Sequence, residues 1–248
     1  SPLVEDNHVY VFGVEGRILC LDMVKGNKVW EVDTAQRFNV QQNFFGVGSN
    51  PVIYNDLLIV MIGGSPPDLR LPFGGLDVAK GNGTGIVAFD KRTGKTRYSI
   101  TDELASYASL KLAKIGERDW CFAFARSGLV GFDPTTGKID FQYPWRAISL
   151  ESVNASVPVV VGEQVFISET YGPGASLLNV RPGASEVVWK DDNRIREKTF
   201  QAHWNTPIYR NGYLYGCSGR HEYSAVLRCI EWKTGKVQWE LPGLNRTS

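Results

Sequence analysis

The stretch Gly128-Leu-Val-Gly-Phe-Asp133-Pro-Thr-Thr-Gly137-Lys138-Ile-Asp-Phe141 decides the fold. It reads as a hairpin: an apolar strand, a tight polar turn, and a second strand that runs into an aromatic ring. The Asp133 carboxylate suits the backbone N–H groups of the turn, and Gly137 tolerates the left-handed φ that a tight turn demands. The unit recurs. Ile18-Leu-Cys-Leu-Asp22 leads to Trp30, Ile86-Val-Ala-Phe-Asp90 to Tyr98, Leu177-Leu-Asn-Val-Arg181 to Trp189, and Leu227-Arg-Cys-Ile-Glu231 to Trp239. In all five copies the ring stands eight residues beyond the polar residue. Five copies of one unit define a repeat protein.

Each copy follows another hairpin, with turns at Glu5-Asp6-Asn7, Asn55-Asp56, Gly116-Glu117, Gly162-Glu163 and Asn211-Gly212 between β-branched and aromatic runs. Such turns are strong hairpin signals. Every repeat therefore holds four strands, a to d, in an up-and-down meander. Four strands recurring with a period of about 40–50 residues indicate propeller blades. The blades fall at residues 1–47, 48–101, 102–147, 148–197 and 198–248. The fold class is all-β, a β-propeller with five blades present, expected to be part of a seven- or eight-bladed ring. Only Thr101-Asp-Glu-Leu104 is expected to begin a short helical turn.

Strand c is apolar at successive positions, so both its faces are covered, as in blades stacked face to face. One of its columns holds Cys20, Ala88, Gly131, Asn179 and Cys229, all compact. This column is expected to leave room for a neighbouring blade's ring. Trp30, Tyr98, Phe141, Trp189 and Trp239 are then the docking residues that hold blade to blade, each able to bury about 150–250 Å².

The chain has 248 residues, 43% of them hydrophobic, and a formal net charge of +1. That length supports a sizeable core. Near-neutral charge without a basic block argues against nucleic acid and against an anionic membrane surface. No apolar run approaches the roughly 20 residues of a transmembrane span. The sequence opens at Ser1-Pro2, inside a repeat, so residues upstream are expected and the lack of a signal peptide decides nothing. Cys20, Cys121, Cys217 and Cys229 lie in apolar strands without metal-like spacing and are expected to be free, buried thiols.

The Asp-x-x-Thr-Gly-Lys-x-x-aromatic pattern resembles the tryptophan-docking repeat of PQQ-like propellers. These form the quinoprotein alcohol dehydrogenase-like superfamily, with its BamB-like members. Asp90-Lys-Arg-Thr93-Gly94-Lys95 to Tyr98, Asp133 to Phe141, and Thr234-Gly235-Lys236 to Trp239 carry the resemblance. Asp22 to Trp30 fits with a looser turn, and the fourth repeat departs from it, with Arg181-Pro-Gly183 in place of the Asp turn. The resemblance implies the fold, and an extracytoplasmic, periplasmic location. Function does not follow from the motif, whose residues are architectural.

Loop lengths carry the functional signal. In a meander the a–b and c–d turns share one face, and here they are tight. The b–c loops and blade-to-blade connections share the other, with long segments at 38–45, 63–84, 149–154, 168–174, 200–205 and 218–224. Long loops on one side of a scaffold are where binding concentrates. Asn50, Asn154, Gln201, His203, Trp204 and Asn205 would ring the channel mouth there, as candidate binding residues. The amides are equally suited to serving their own turns. No acid stands beside His203 to orient it as a triad would require, and no nucleophile-elbow, zincin, P-loop or EF-hand pattern occurs. No catalytic or metal-binding residue is assigned, and no cofactor is expected.

The expected function is a non-catalytic binding or protein-interaction scaffold whose partner is a protein or a small polar ligand at the long-loop face. Two other readings stay open: a fragment of a PQQ-dependent alcohol or sugar dehydrogenase, and a sensor domain of a receptor-like protein. The resemblance implies that the dehydrogenases hold PQQ with Ca²⁺, using adjacent cysteines and a set of acids and amides. Here no two cysteines adjoin, and Glu151 is the only acid in the segments 38–45, 149–154 and 200–205 that precede inner strands.

Overall fold

A computed structural model describes residues 1–41, 45–71, 79–147, 153–192, 196–221 and 223–244. Twenty strands form five four-stranded antiparallel sheets, each a simple meander in chain order. Blade one holds β1 (Leu3–Glu5), β2 (His8–Phe12), β3 (Arg17–Asp22) and β4 (Lys28–Asp33). Blade two holds β5 (Val52–Tyr54), β6 (Leu57–Met61), β7 (Ile86–Asp90) and β8 (Thr96–Ile100). Blade three comprises β9 (Lys111–Ile115), β10 (Arg118–Phe124), β11 (Gly128–Phe132) and β12 (Ile139–Pro144). Blade four comprises β13 (Val159–Val161), β14 (Gln164–Glu169), β15 (Gly174–Arg181) and β16 (Ala184–Lys190). Blade five comprises β17 (Ile208–Arg210), β18 (Tyr213–Ser218), β19 (Val226–Glu231) and β20 (Val237–Leu241).

Four apolar clusters form the core, one between each pair of neighbouring blades. Period-2 geometry assigns each strand to two of them. Leu58 and Val60 of β6 pack towards blade one, with Tyr10, Ile18 and Trp30. Leu57, Ile59 and Met61 of the same strand pack towards blade three, with Cys121, Ala123 and Phe132. In β10, Trp120, Phe122 and Phe124 turn the other way, to Val165, Ile167 and Leu178 of blade four. Phe166 meets Leu214, Ile230 and Trp232 of blade five. Strand c is thus buried on both faces in β7 and β11, while β3 and β19 of the terminal blades keep partly covered positions.

The repeat unit works through its turn. Asp90 Oδ1 accepts from the N–H groups of Arg92 and Thr93, and Asp133 Oδ1 from those of Thr135 and Thr136. Gly94 and Gly137 adopt φ of 68° and 74°. Each glycine then offers a flat seat to the preceding blade's ring. A Cβ on Gly94 would stand 2.8 Å from the Trp30 ring, one on Gly137 2.6 Å from Tyr98, and one on Gly235 3.0 Å from Trp189. The ring also finds a polar partner one residue past the acidic one. Trp30 Nε1 donates to the Lys91 carbonyl at 3.0 Å, Tyr98 Oη to that of Pro134 at 2.8 Å, and Trp189 Nε1 to that of Trp232 at 2.8 Å.

The compact column has a different role from the one expected. Cys20, Ala88, Gly131 and Cys229 lie directly opposite their own blade's ring, Trp30, Tyr98, Phe141 and Trp239. The small residue makes room for the ring across the ladder, and the neighbouring blade contributes the glycine turn. In blade four Leu177, not Asn179, faces Trp189, and Asn179 pairs with Glu186. The two-residue turn there lengthens the hairpin, and the Gly183 N–H donates to Asp140 Oδ1 of blade three. No helix forms at Thr101-Asp-Glu-Leu104, where Thr101 takes φ of 61°. Among the described residues the helix is α1 (Thr34–Phe38), capped by Asp33 Oδ1 accepting from the Gln36 N–H at 3.0 Å.

Candidate functional site

The connections between blades and the b–c loops close over one face. Arg126 N–H donates to the Leu104 carbonyl and Gly219 N–H to that of Gln201. On the opposite face the tight turns bond to each other, as from Lys91 N–H to the Asp56 carbonyl and from Trp232 N–H to that of Gly212.

Three connections between blades meet through aromatic rings. Phe45 leads into blade two, Tyr107 into blade three and Trp204 into blade five. Their centroids lie 5.7–5.9 Å apart with interplanar angles of 61–76°, an edge-to-face triad. The Phe45 N–H donates to Tyr107 Oη at 3.1 Å. The triad lines an open pocket of about 510 Å³ together with Gly48, Ser109, Ala155, Val157 and Thr206. Ser109 Oγ and Thr206 Oγ1 each accept a backbone N–H, from Asn50 and Val157.

The ring contacts continue sideways. His203 lies 4.7 Å from Trp204, and its Nε2 is 3.1 Å from Tyr171 Oη. The Arg220 guanidinium stacks on Tyr171 at 4.3 Å. Behind Tyr171 sits Glu169, wholly buried, whose Oε1 accepts the Tyr171 N–H at 2.9 Å. Glu169 Oε2 has no hydrogen-bond partner among the described residues. Burial pushes this carboxyl up to about 7, against the opposing pull of backbone donors and Arg220. Burial also raises the Tyr107 hydroxyl, in spite of the nearby Arg126.

Of the six binding candidates read from sequence, His203 and Trp204 join this chain of rings, with His203 almost wholly buried. The side-chain amides of Asn154, Gln201 and Asn205 bond to the scaffold. Asn154 is fully buried, donating Nδ2 to the carbonyl of Ala125 and receiving the N–H groups of Tyr107 and Ala108 on its own carbonyl. Gln201 Nε2 donates to the Thr170 carbonyl, and Asn205 Nδ2 to that of Cys217. Asn50 gives its N–H to Ser109. Tyr107 was not among the candidates, although it precedes its blade as Trp204 precedes blade five; aligning the connections, rather than the strands, exposes it. Glu151 and residues 72–78 of the 63–84 segment lie outside the described residues. The described part of the 63–84 insertion packs on the end of α1: Ser65 N–H donates to the Phe38 carbonyl, and Asn39 Nδ2 to that of Leu69.

The donor set does not fit a quinone cofactor with Ca²⁺. A hard cation wants several free carboxylate oxygens. Among the described acids on this face, Asp102, Glu103, Glu169 and Asp191 each accept a backbone N–H, and no three His, Cys, Asp or Glu side chains among the described residues converge. All four cysteines are free and buried, in separate strands.

Five four-stranded meanders, docked ring to glycine turn at three of their four junctions, define a PQQ-like β-propeller. The sequence profile described as "Outer membrane protein assembly factor BamB" matches residues 1–241. The chain belongs to that family. Among solved structures, BamB from Moraxella catarrhalis superposes with a TM-score of 0.60 at 14% identity, covering 94% of this chain and 57% of its own. The chain thus spans a little over half the length of that relative. The computationally designed Ika8 protein (TM-score 0.46, 9% identity, 99% of this chain and 74% of its own) also appears. So does the quinohemoprotein alcohol dehydrogenase ADHIIG from Pseudomonas putida HK5 (0.43, 12%, 98% and 58%). No curated protein sequence matches the chain. Among the described residues no helix is long and apolar enough to cross a membrane.

Proposed function

We propose that this chain is a non-catalytic scaffold of the extracytoplasmic space that holds a protein partner at its long-loop face, in the assembly of outer-membrane proteins. The observation that carries the reading is the aromatic triad of Phe45, Tyr107 and Trp204 with the pocket it lines. Aromatic and arginine side chains grouped at the centre of a face are the residues that anchor interfaces. Trp204 and Tyr171 supply flat area, and Arg220 adds a cation beside it. Membership of the family described as an assembly factor supports the same reading.

The test is capture of envelope proteins on the immobilised chain, with the bound species identified by mass spectrometry. Replacing Trp204 by Ala should abolish capture while the melting temperature changes little. Normal capture by that variant, with loss of capture on substituting exposed residues of the Thr-Gly-Lys turns, would place the working surface on the opposite face.

A further inference from the structure

The pocket beside the aromatic triad has a one-sided chemistry. Its described lining holds three rings, small or aliphatic residues, and the hydroxyls of Ser109 and Thr206, with no charged side chain and no side-chain amide. These residues belong to the connections that lead into blades two to five, well inside the sequence.

The polar side chains are set to donate. Ser109 Oγ accepts the Asn50 N–H at 3.0 Å, Thr206 Oγ1 that of Val157 at 3.1 Å, and Tyr107 Oη that of Phe45 at 3.1 Å. Each oxygen is thus already engaged by a backbone donor, while its proton has no acceptor among the described residues. Trp204 adds an indole N–H, a group that can only donate, and it too has no acceptor among the described residues. The wall is also fixed in place. Tyr107 is buried, its N–H and that of Ala108 donate to the Asn154 carbonyl, and a Cβ on Gly48 would stand 2.8 Å from Tyr107 Cδ1.

A ligand that matches this lining is neutral, lays apolar area on the rings, and accepts hydrogen bonds without offering protons of its own. Proline meets all three conditions. Its ring is apolar, its carbonyl accepts, and its tertiary amide has no N–H to be left unsatisfied. A run of prolines is extended before it binds, so ordering it costs little, and aromatic-lined grooves receive such segments. A sugar also stacks on rings, but it brings several hydroxyl protons, for which the lining has neither carboxylate nor amide. The volume of about 510 Å³ falls within the roughly 300–1,000 Å³ of ligand pockets.

The geometry points to a proline-rich, extended segment of the protein partner as the occupant of this pocket, an inference that rests on the scaffold role proposed above. The proline rings pack on Phe45, Tyr107 and Trp204, and the hydroxyls of Tyr107, Ser109 and Thr206 donate to carbonyl groups of the segment.

Anisotropy of fluorescently labelled decaproline, titrated with the full chain, tests this. The wild-type protein should bind it saturably. Ser109→Ala and Thr206→Val each remove one donor and should weaken binding about three- to tenfold. Trp204→Ala should weaken it about thirtyfold or more. Thermal melts verify that the variants fold, and Thr206 is exposed, so Thr206→Val keeps the test sound if the tryptophan variant does not fold. A wild-type chain that shows no saturable binding of decaproline overturns the proposal. So does tighter binding of maltohexaose, or folded Trp204 and Thr206 variants that bind decaproline as the wild type does. Failure of the scaffold role has a different signature: decaproline binds, with the expected losses in the variants, yet fails to displace captured envelope proteins.

Discussion

Replacing Glu169 by Gln should stabilise the protein at neutral and alkaline pH, and the gain should grow with pH. The carboxyl is wholly buried, with one oxygen on the Tyr171 N–H and the other without a partner among the described residues. Its pKa rises from 4.5 to about 7 on folding because burial opposes the charged form. Below pH 4.5 the group is neutral in both folded and unfolded chains, and it makes no difference to stability. Between 4.5 and 7 the unfolded chain releases the proton while the folded one keeps it, so stability falls as pH rises. Above 7 the loss is complete. At about 1.4 kcal/mol for each pH unit, the total is on the order of 3 kcal/mol. The substituted amide would keep an oxygen for the Tyr171 N–H and would never ionise. Urea unfolding of both proteins from pH 4.5 to 8.5 should give curves that nearly meet at the acid end and separate by up to about 3 kcal/mol at the alkaline end. Two curves separated by a constant amount across that range would refute the argument, since the cost would not then come from charging Glu169.

Trp189→Ala should cost about 3–5 kcal/mol, since it empties the seat on Gly235 and the bond to the Trp232 carbonyl, whereas Trp239→Ala should cost well under half of that; urea midpoints compare the two. Gly137→Ala should destabilise by about 1–3 kcal/mol more than Gly116→Ala. Both glycines have positive φ, but only Gly137 has the Tyr98 ring where the methyl group would go. Thiol titration should find four reactive cysteines in denaturant and almost none in the native protein, as all four are buried.

The fold was legible because the turn chemistry and the period-2 pattern agree in every blade but the fourth. Asp133 and Gly137 form the turn they suggest, and strand c is apolar on both faces because each face serves a different neighbour. The fourth repeat misled because an equal count of residues hid an unequal hairpin: spacing from Arg181 to Trp189 matched, yet the two-residue turn shifted the pairing to Leu177. The sequence Asp33-Thr34-Ala35-Gln36 did contain a helix start, but five residues are too few to show a 3.6-residue period. The site was less legible. Asn154, Gln201 and Asn205 looked like ligand groups because side-chain amides at a channel mouth and amides that clamp loops have the same composition. Only the backbone around them distinguishes the two, and here it takes their hydrogen bonds.

Because each strand of an inner blade gives its odd residues to one neighbour and its even residues to the other, no two of the four apolar clusters share a side chain. Through the apolar core, energetic coupling then runs from one blade to the next, as in a one-dimensional lattice. A substitution on β6 is felt by blade one or by blade three according to the parity of its position.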